Sequence, residues 1–137
     1  MRDIKFRAKR LDNGAFENGS LVRVRCYCHD EQVYIADKMT GYLIPVDPDT
    51  VGQFTGMFDK NGREIYEGDL VQDDFDHKVF YVSYNEKEAC FYYKEAEENA
   101  DCTEPCMCFY SNKHITVVDT IFGSPISKHP KLKNTTP

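Results

Sequence analysis

An all-β fold is predicted for this chain from three observations. Apolar residues nowhere keep a helical period over about 11 positions. Short segments alternate apolar and polar residues instead, which suits half-buried strands. Clusters of Gly, Asn and Asp separate those segments at short intervals, as in a sandwich or small barrel.

The elements follow in order. Ile4, Phe6 and Ala8 alternate with Lys5, Arg7 and Lys9, predicting a strand with a basic outer side. Asp12-Asn13-Gly14 then reads as a hairpin turn, because Asn and Gly accept positive φ. Leu21 to Cys28 alternates again, with Val22, Val24, Cys26 and Cys28 on one side and Arg23, Arg25 and Tyr27 on the other. His29 to Glu31 turns, Gln32 to Ala36 is a strand, and Lys38 to Gly41 turns before Tyr42-Leu43-Ile44. Asp47-Pro48 has the form of an N-cap followed by Pro at the first helical position, so a short helical turn is expected near 47–52. Asp59 to Gly62 is a second hairpin turn, and Glu67-Gly68-Asp69 a tight turn into Leu70-Val71. Lys78 to Tyr84, Ala89 to Tyr93, Met107 to Tyr110 and Ile115 to Ile121 supply the remaining strands.

At 137 residues the chain has the size of one domain. Its expected layout is N-terminal strands at 1–45, a barrel-like core at 53–126 and a flexible tail at 127–137. No run of about 20 apolar residues is present, and the charged start has no apolar segment of a secretory leader behind it. The expectation is a cytoplasmic protein without a membrane partner.

Net charge is −6, unevenly divided. Residues 1–25 carry seven Lys/Arg against three Asp/Glu, a net of +4; the remainder carries ten against twenty, a net of −10. Such a dipolar chain can bring the basic end of one molecule to the acidic part of another, so a homo-oligomer is expected. Arg2, Lys5, Arg7, Lys9, Arg23 and Arg25 are the basic candidates. Single-stranded nucleic acid is the alternative partner for them, although overall acidity argues against a dedicated nucleic-acid binder.

Three constellations bear on chemistry. Cys26, Cys28, Cys102, Cys106 and Cys108 include enough thiols for a tetrahedral zinc site. Their spacing does not match the two-to-four-residue gaps of zinc knuckles, and reduced thiols are the plainer account. Asp73, Asp74 and Asp76 beside His77 gather carboxylates in one predicted loop; a solvated acidic loop is favoured over a metal site. Tyr81, Tyr84 and Tyr92 belong to an aromatic-rich hairpin, where alternation sends only half the rings to the core. No phosphate-cradling, dinucleotide or nucleophile-elbow motif occurs, so no catalytic residue and no cofactor is expected.

One longer pattern is specific. Thr55-Gly56, Asp59-Lys60-Asn61-Gly62 and Glu64-Ile65-Tyr66-Glu67-Gly68-Asp69 before the aliphatic Leu70-Val71 resemble the hallmark of the YopX family. Ile4 to Ala8, Val46 to Gln53 and Val117 to Pro125 are similar to its flanking segments. The resemblance implies a small phage- or prophage-encoded accessory protein acting by binding rather than catalysis, and it transfers no site residue. Met57-Phe58 and the stretch from Cys102 to Cys108 depart from the family pattern. Independently, Gly68-Asp69 feeding a strand that precedes Val79 to Val82 is analogous to the first core strands of an SH3-like barrel. Gly56, Gly62 and Gly68, six residues apart, are read as turns between short strands.

Overall fold

The computed structural model describes residues 3–25, 27, 30–95 and 112–122. These residues form ten strands with two short 3₁₀ turns, an all-β protein built from two antiparallel sheets. The chain divides into two compact units, Met1–Phe54 and Thr55–Pro137.

In the first unit, β1 (Phe6–Lys9), β2 (Phe16–Arg25), β3 (Glu31–Ala36) and β4 (Leu43–Pro45) lie side by side in the order β4-β3-β2-β1. A six-residue turn with Gly14 at φ 72° joins β1 to β2, and the Asn13 carboxamide oxygen accepts from Ala15 N. The Asp47 side chain caps Asp49 N, with Pro48 opening the 3₁₀ turn Pro48–Thr50. The first residues of β5 (Gly52–Phe58) then pair with β1. Past the end of β1 the chain also meets the end of β4. Leu11 N donates to Pro45 O at 3.1 Å, Asp47 N donates to Lys9 O at 2.8 Å, and Arg10 bridges Val46. The backbone thus closes on itself between residues 6 and 47 around Ala8, Val33, Ile35 and Val46, with Phe6, Leu21, Ile44 and Val51 against them. A barrel is expected from the sequence at 53–126; this closure lies in the first unit.

Strand β2 differs from its expectation in two ways. It begins five residues earlier than Leu21 and runs straight through Asn18-Gly19. Gly19 is there for space: a Cβ at that position would overlap the carbonyl oxygen of Ala36. The side chains also alternate opposite to the reading that puts Val22 and Val24 with core-quality cysteines. Gly19 and Leu21 turn inward, Leu21 paired with Ile35, whereas Val22 pairs with Tyr34 on the outer side and Val24 is 42% exposed. A one-residue step in strand register exchanges the faces, and the buried glycine sets that step.

In the second unit, the rest of β5, β6 (Glu64–Tyr66), β7 (Asp69–Asp73), β8 (Val79–Asn85), β9 (Cys90–Glu95) and β10 (Ile115–Thr120) surround Ile65, Val71, Phe80, Val82, Tyr93, Ile115 and Val117. The four-stranded sheet has the order β10-β7-β8-β9, and the pairing of β7 with β8 is the one on which the barrel analogy rests. Gly62 (φ 81°) and Gly68 (φ 93°) occupy turns as expected. Gly56 does not: it sits inside β5 at φ 87°, a local kink in a strand where the sequence suggests a turn. Met107 to Tyr110 and the tail 127–137 lie outside the described residues.

Gly19→Ala is expected to destabilise the protein by about 1–3 kcal/mol, since β2 and the Ala36 carbonyl must separate to admit one methyl. Urea unfolding with an unchanged m-value would register this as a lower midpoint.

Candidate functional site

Asp73, Asp74, Asp76 and His77 form the turn between β7 and β8, and the turn uses most of their polar atoms. Asp73 Oδ1 accepts from Phe75 N at 2.8 Å, and Asp76 Oδ1 accepts from Lys78 N at 2.9 Å. Asp74 Oδ2 is paired with Lys60 Nζ at 2.7 Å. His77, at φ 60°, donates its backbone N–H to Asp73 O, while Gln72 Nε2 donates to His77 O. The exposed Phe75 ring lies 4.2 Å from that of His114. Asx-type capping explains the aspartates: their short carboxylates reach backbone amides two residues on. Among the described residues, no three His, Cys, Asp or Glu side chains are grouped as metal ligands.

The aromatic hairpin splits as alternation requires, though not by residue type. Val82 and Tyr93 form a cross-strand pair on the core side, and the rings of Phe80 and Tyr93 are 6.1 Å apart. Tyr84 continues that side, edge-on to Phe91 at 5.0 Å. Tyr81 pairs with Lys94, whose ammonium lies 5.9 Å from the Tyr81 ring centre, and Tyr92 pairs with Ser83. These four, with Leu70 opposite Tyr81, belong to the outer, half-exposed side of the sheet. Of the three tyrosines singled out from sequence, Tyr81 and Tyr92 share a face and Tyr84 does not.

The basic residues also divide. Arg7 and Lys9 pair with Asn18 and Phe16 on the outer side of β1 and β2, and their cationic groups lie 4.4 and 5.7 Å from the Phe16 ring centre. Lys5 lies over Phe54 at 4.9 Å. Arg23 and Arg25 continue the opposite side of β2, paired with Val33 and Glu31. Arg23 is bound by Glu31 through two bonds of 2.9 and 3.0 Å. One continuous basic face containing Arg7, Lys9, Arg23 and Arg25 is therefore not formed, because they fall on both sides of one sheet. Arg2, His29 and the thiols Cys26, Cys28, Cys102, Cys106 and Cys108 lie outside the described residues.

The residues that sequence reasoning undervalued are in the hallmark. Asp59 is buried, and its Oδ1 accepts from Asn61 N at 2.8 Å and Arg63 N at 2.9 Å. Its Oδ2 accepts from Val117 N at 3.0 Å, across 58 residues of chain. Lys60 N donates to Ile115 O, and Arg63 Nη1 to Val117 O, so the β5–β6 turn clasps β10. Asp69 is also buried, accepting from Tyr66 N at 2.8 Å. Gly68 donates to Val82 O, and its own carbonyl accepts from Ile121 N and Thr120 Oγ1. A Cβ on Gly68 would come within 2.6 Å of the Phe122 ring. The only sequence signal was Asp at the head of an Asp-Lys-Asn-Gly turn; nothing local marks its second oxygen as serving β10.

Asp59→Ala is expected to cost about 2–4 kcal/mol, mostly from the buried Val117 N–H left without an acceptor. Asp59→Asn, which retains one carbonyl oxygen, is expected to lose less; chemical denaturation of both variants checks the order. A second outcome concerns Glu31, whose carboxyl is held below its ordinary value chiefly by the hydrogen bonds from Arg23. The pairing contributes above the unfolded glutamate value and disappears as pH falls through the depressed one. NMR titration should therefore give Glu31 a midpoint below that of a free glutamate, rising in Arg23→Gln.

Comparison with known proteins bears on the whole chain. No curated protein matches it. A solved structure that it resembles is that of protein EF1440 from Enterococcus faecalis, at 20% identity over 88% of this chain and 94% of that one, with a TM-score of 0.50. That likeness concerns the fold. The family described as YopX protein matches residues 5–126, which include both flanking strands and the clasp around Asp59. The chain belongs to the YopX family.

Proposed function

We propose that this protein is a non-catalytic interaction module that self-associates and offers the outer face of the β7-β8-β9 sheet to a protein partner. The observation that carries the reading is how the hallmark acids are used. Asp59 and Asp69 are buried against backbone amides, and Asp73, Asp74 and Asp76 serve the β7–β8 turn or Lys60. The acids of this region thus hold backbone in place. Tyr81 and Tyr92, with Leu70 opposite Tyr81, instead remain half-exposed side by side on a sheet face, an arrangement that suits a contact surface. The role is that of a phage- or prophage-encoded accessory protein in the bacterial cytosol. Among the described residues no helix is long and apolar enough to cross a membrane.

Nucleic-acid binding is the second reading, favoured by the alignment of Lys5, Arg7 and Lys9 along β1 beside Phe16 and Phe54. It is the weaker of the two, because those cations already lie over rings and Arg23 is engaged by Glu31.

Light scattering after gel filtration, from about 10 to 300 μM, is expected to give a mass above that of the monomer. The excess should shrink as salt rises from about 50 to 500 mM, because the chain is basic at one end and acidic elsewhere. A strict monomer throughout would remove self-association. Binding of a fluorescent single-stranded DNA at low salt, lost steeply as salt rises, would favour the second reading instead.

A further inference from the structure

The outer side of the first unit is unlike that of an ordinary solvated sheet. Antiparallel sheets with one face in the core normally carry polar residues on the other. Here both faces are apolar. Leu21, Val33, Ile35 and Ile44 belong to the core side. Cross-strand pairing assigns Val22 with Tyr34, Tyr34 with Pro45, and Ala36 with Leu43 to the outer side, with Val24 next along β2. Val24 is 42% and Leu43 49% exposed, and Pro45 is exposed as well. Gln32 and Ser20 are the polar members of this side, and neither is charged. An uncharged apolar strip three strands wide on a small unit marks a contact surface.

The charges beside the strip indicate what covers it. Beyond β2 the neighbouring strand β1 carries Arg7 and Lys9 on the same outer side. Beyond Pro45 the chain continues directly into Asp47 and Asp49. We infer that the outer face of β2-β3-β4 is the surface through which two copies of this chain associate. A two-fold axis running along the strands lays the β2 side of one copy on the β4 side of the other. The apolar strips then superpose, and Arg7 and Lys9 of each copy oppose Asp47 and Asp49 of its partner. Both sets carry charge that complements across the axis, and the uncharged centre opposes no like charges. This rests on the self-association proposed above and assigns it a face.

The strip also sets the strength of the pairing. Three strands about 4.8 Å apart and five residues at about 3.3 Å each span roughly 10 by 17 Å before side chains extend it. That is small against the roughly 800 Å² per partner of a stable interface, so the dimer is a weak, concentration-dependent one.

Sedimentation velocity from about 5 to 500 μM tests it, using the full chain. Wild type is expected to sediment faster as concentration rises. Val24→Asp/Leu43→Asp is expected to remain monomeric with an unchanged circular dichroism spectrum, because both side chains are exposed. Tyr81→Ser/Tyr92→Ser, on the other sheet, is expected to associate as wild type does. Charge reversal gives an independent readout that does not touch the apolar strip. Asp49→Lys should weaken association about two- to five-fold, and Lys9→Glu/Asp49→Lys should restore it. Wild type associating while Val24→Asp/Leu43→Asp, folded, associates equally well would overturn this face and leave self-association standing. An association constant indifferent to Asp49→Lys would overturn the two-fold arrangement. A wild type that stays monomeric throughout would overturn both the face and the self-association on which it depends.

Discussion

One buried carboxylate organises the second unit. Asp59 accepts from Asn61 N and Arg63 N through one oxygen and from Val117 N through the other. The first oxygen makes the β5–β6 turn; the second ties that turn to β10, 58 residues further along. An ionised carboxylate out of water is tolerated only when its lone pairs are met by donors, and three backbone amides meet them here. Lys60 N and Arg63 Nη1 add two more links to the same strand. Without the carboxylate, Val117 N would be a buried donor facing apolar surroundings between Ile115 and the bulge before Asp119.

The rest of the hallmark repeats this logic. Asp69 accepts from Tyr66 N at the turn into β7, and Thr55 Oγ1 donates to Ile65 O between β5 and β6. Gly68 receives the closing strand through Ile121 N and Thr120 Oγ1, with the Phe122 ring against its Cα. A side chain at Gly68 would have to displace that ring, which gives this glycine a packing reason beyond its positive φ. The pattern that identifies the family is thus a set of backbone clamps. A run of acids and glycines with the outward look of a phosphate or metal site is here consumed by the fold.

How far this could be read from sequence depended on the range of each interaction. Asp47-Pro48 and Asp59 to Gly62 declared their turns, because capping and positive φ are settled within four residues. Every strand expected within the described residues is present, with ends displaced by a few positions. What failed was parity. Val22 and Val24 look like the inward side of β2 because they are apolar and Arg23 and Arg25 are not. The strand is aligned instead by Gly19, which only fits where Ala36 comes too close for a side chain. The same error spread to the basic residues, since Arg23 and Arg25 could join Arg7 and Lys9 only if β2 had the opposite parity. Tyr84 parted from Tyr81 and Tyr92 for the ordinary reason that neighbours of odd separation in a strand face opposite ways.

That displaced parity carries a functional consequence. Placing Val22 and Val24 outward is unfavourable for an isolated unit, which would do better with polar residues there and valines within. The core does not need them: Leu21, Val33, Ile35 and Val46 already fill the closed ring. The alternation in β2 therefore supplies apolar surface on the side where the fold has no use for it, next to Tyr34, Leu43 and Pro45 on the neighbouring strands. Single exposed apolar residues need no explanation, but a register-matched set across three strands does. Burial against another molecule removes that surface from water and provides the driving force for association; the charges at its two margins decide orientation and register. The hallmark clamps and the outer strip are then separate features of one design. The former fix the backbone of the second unit, and the latter, held in register by Gly19, gives the first unit a surface with which to pair.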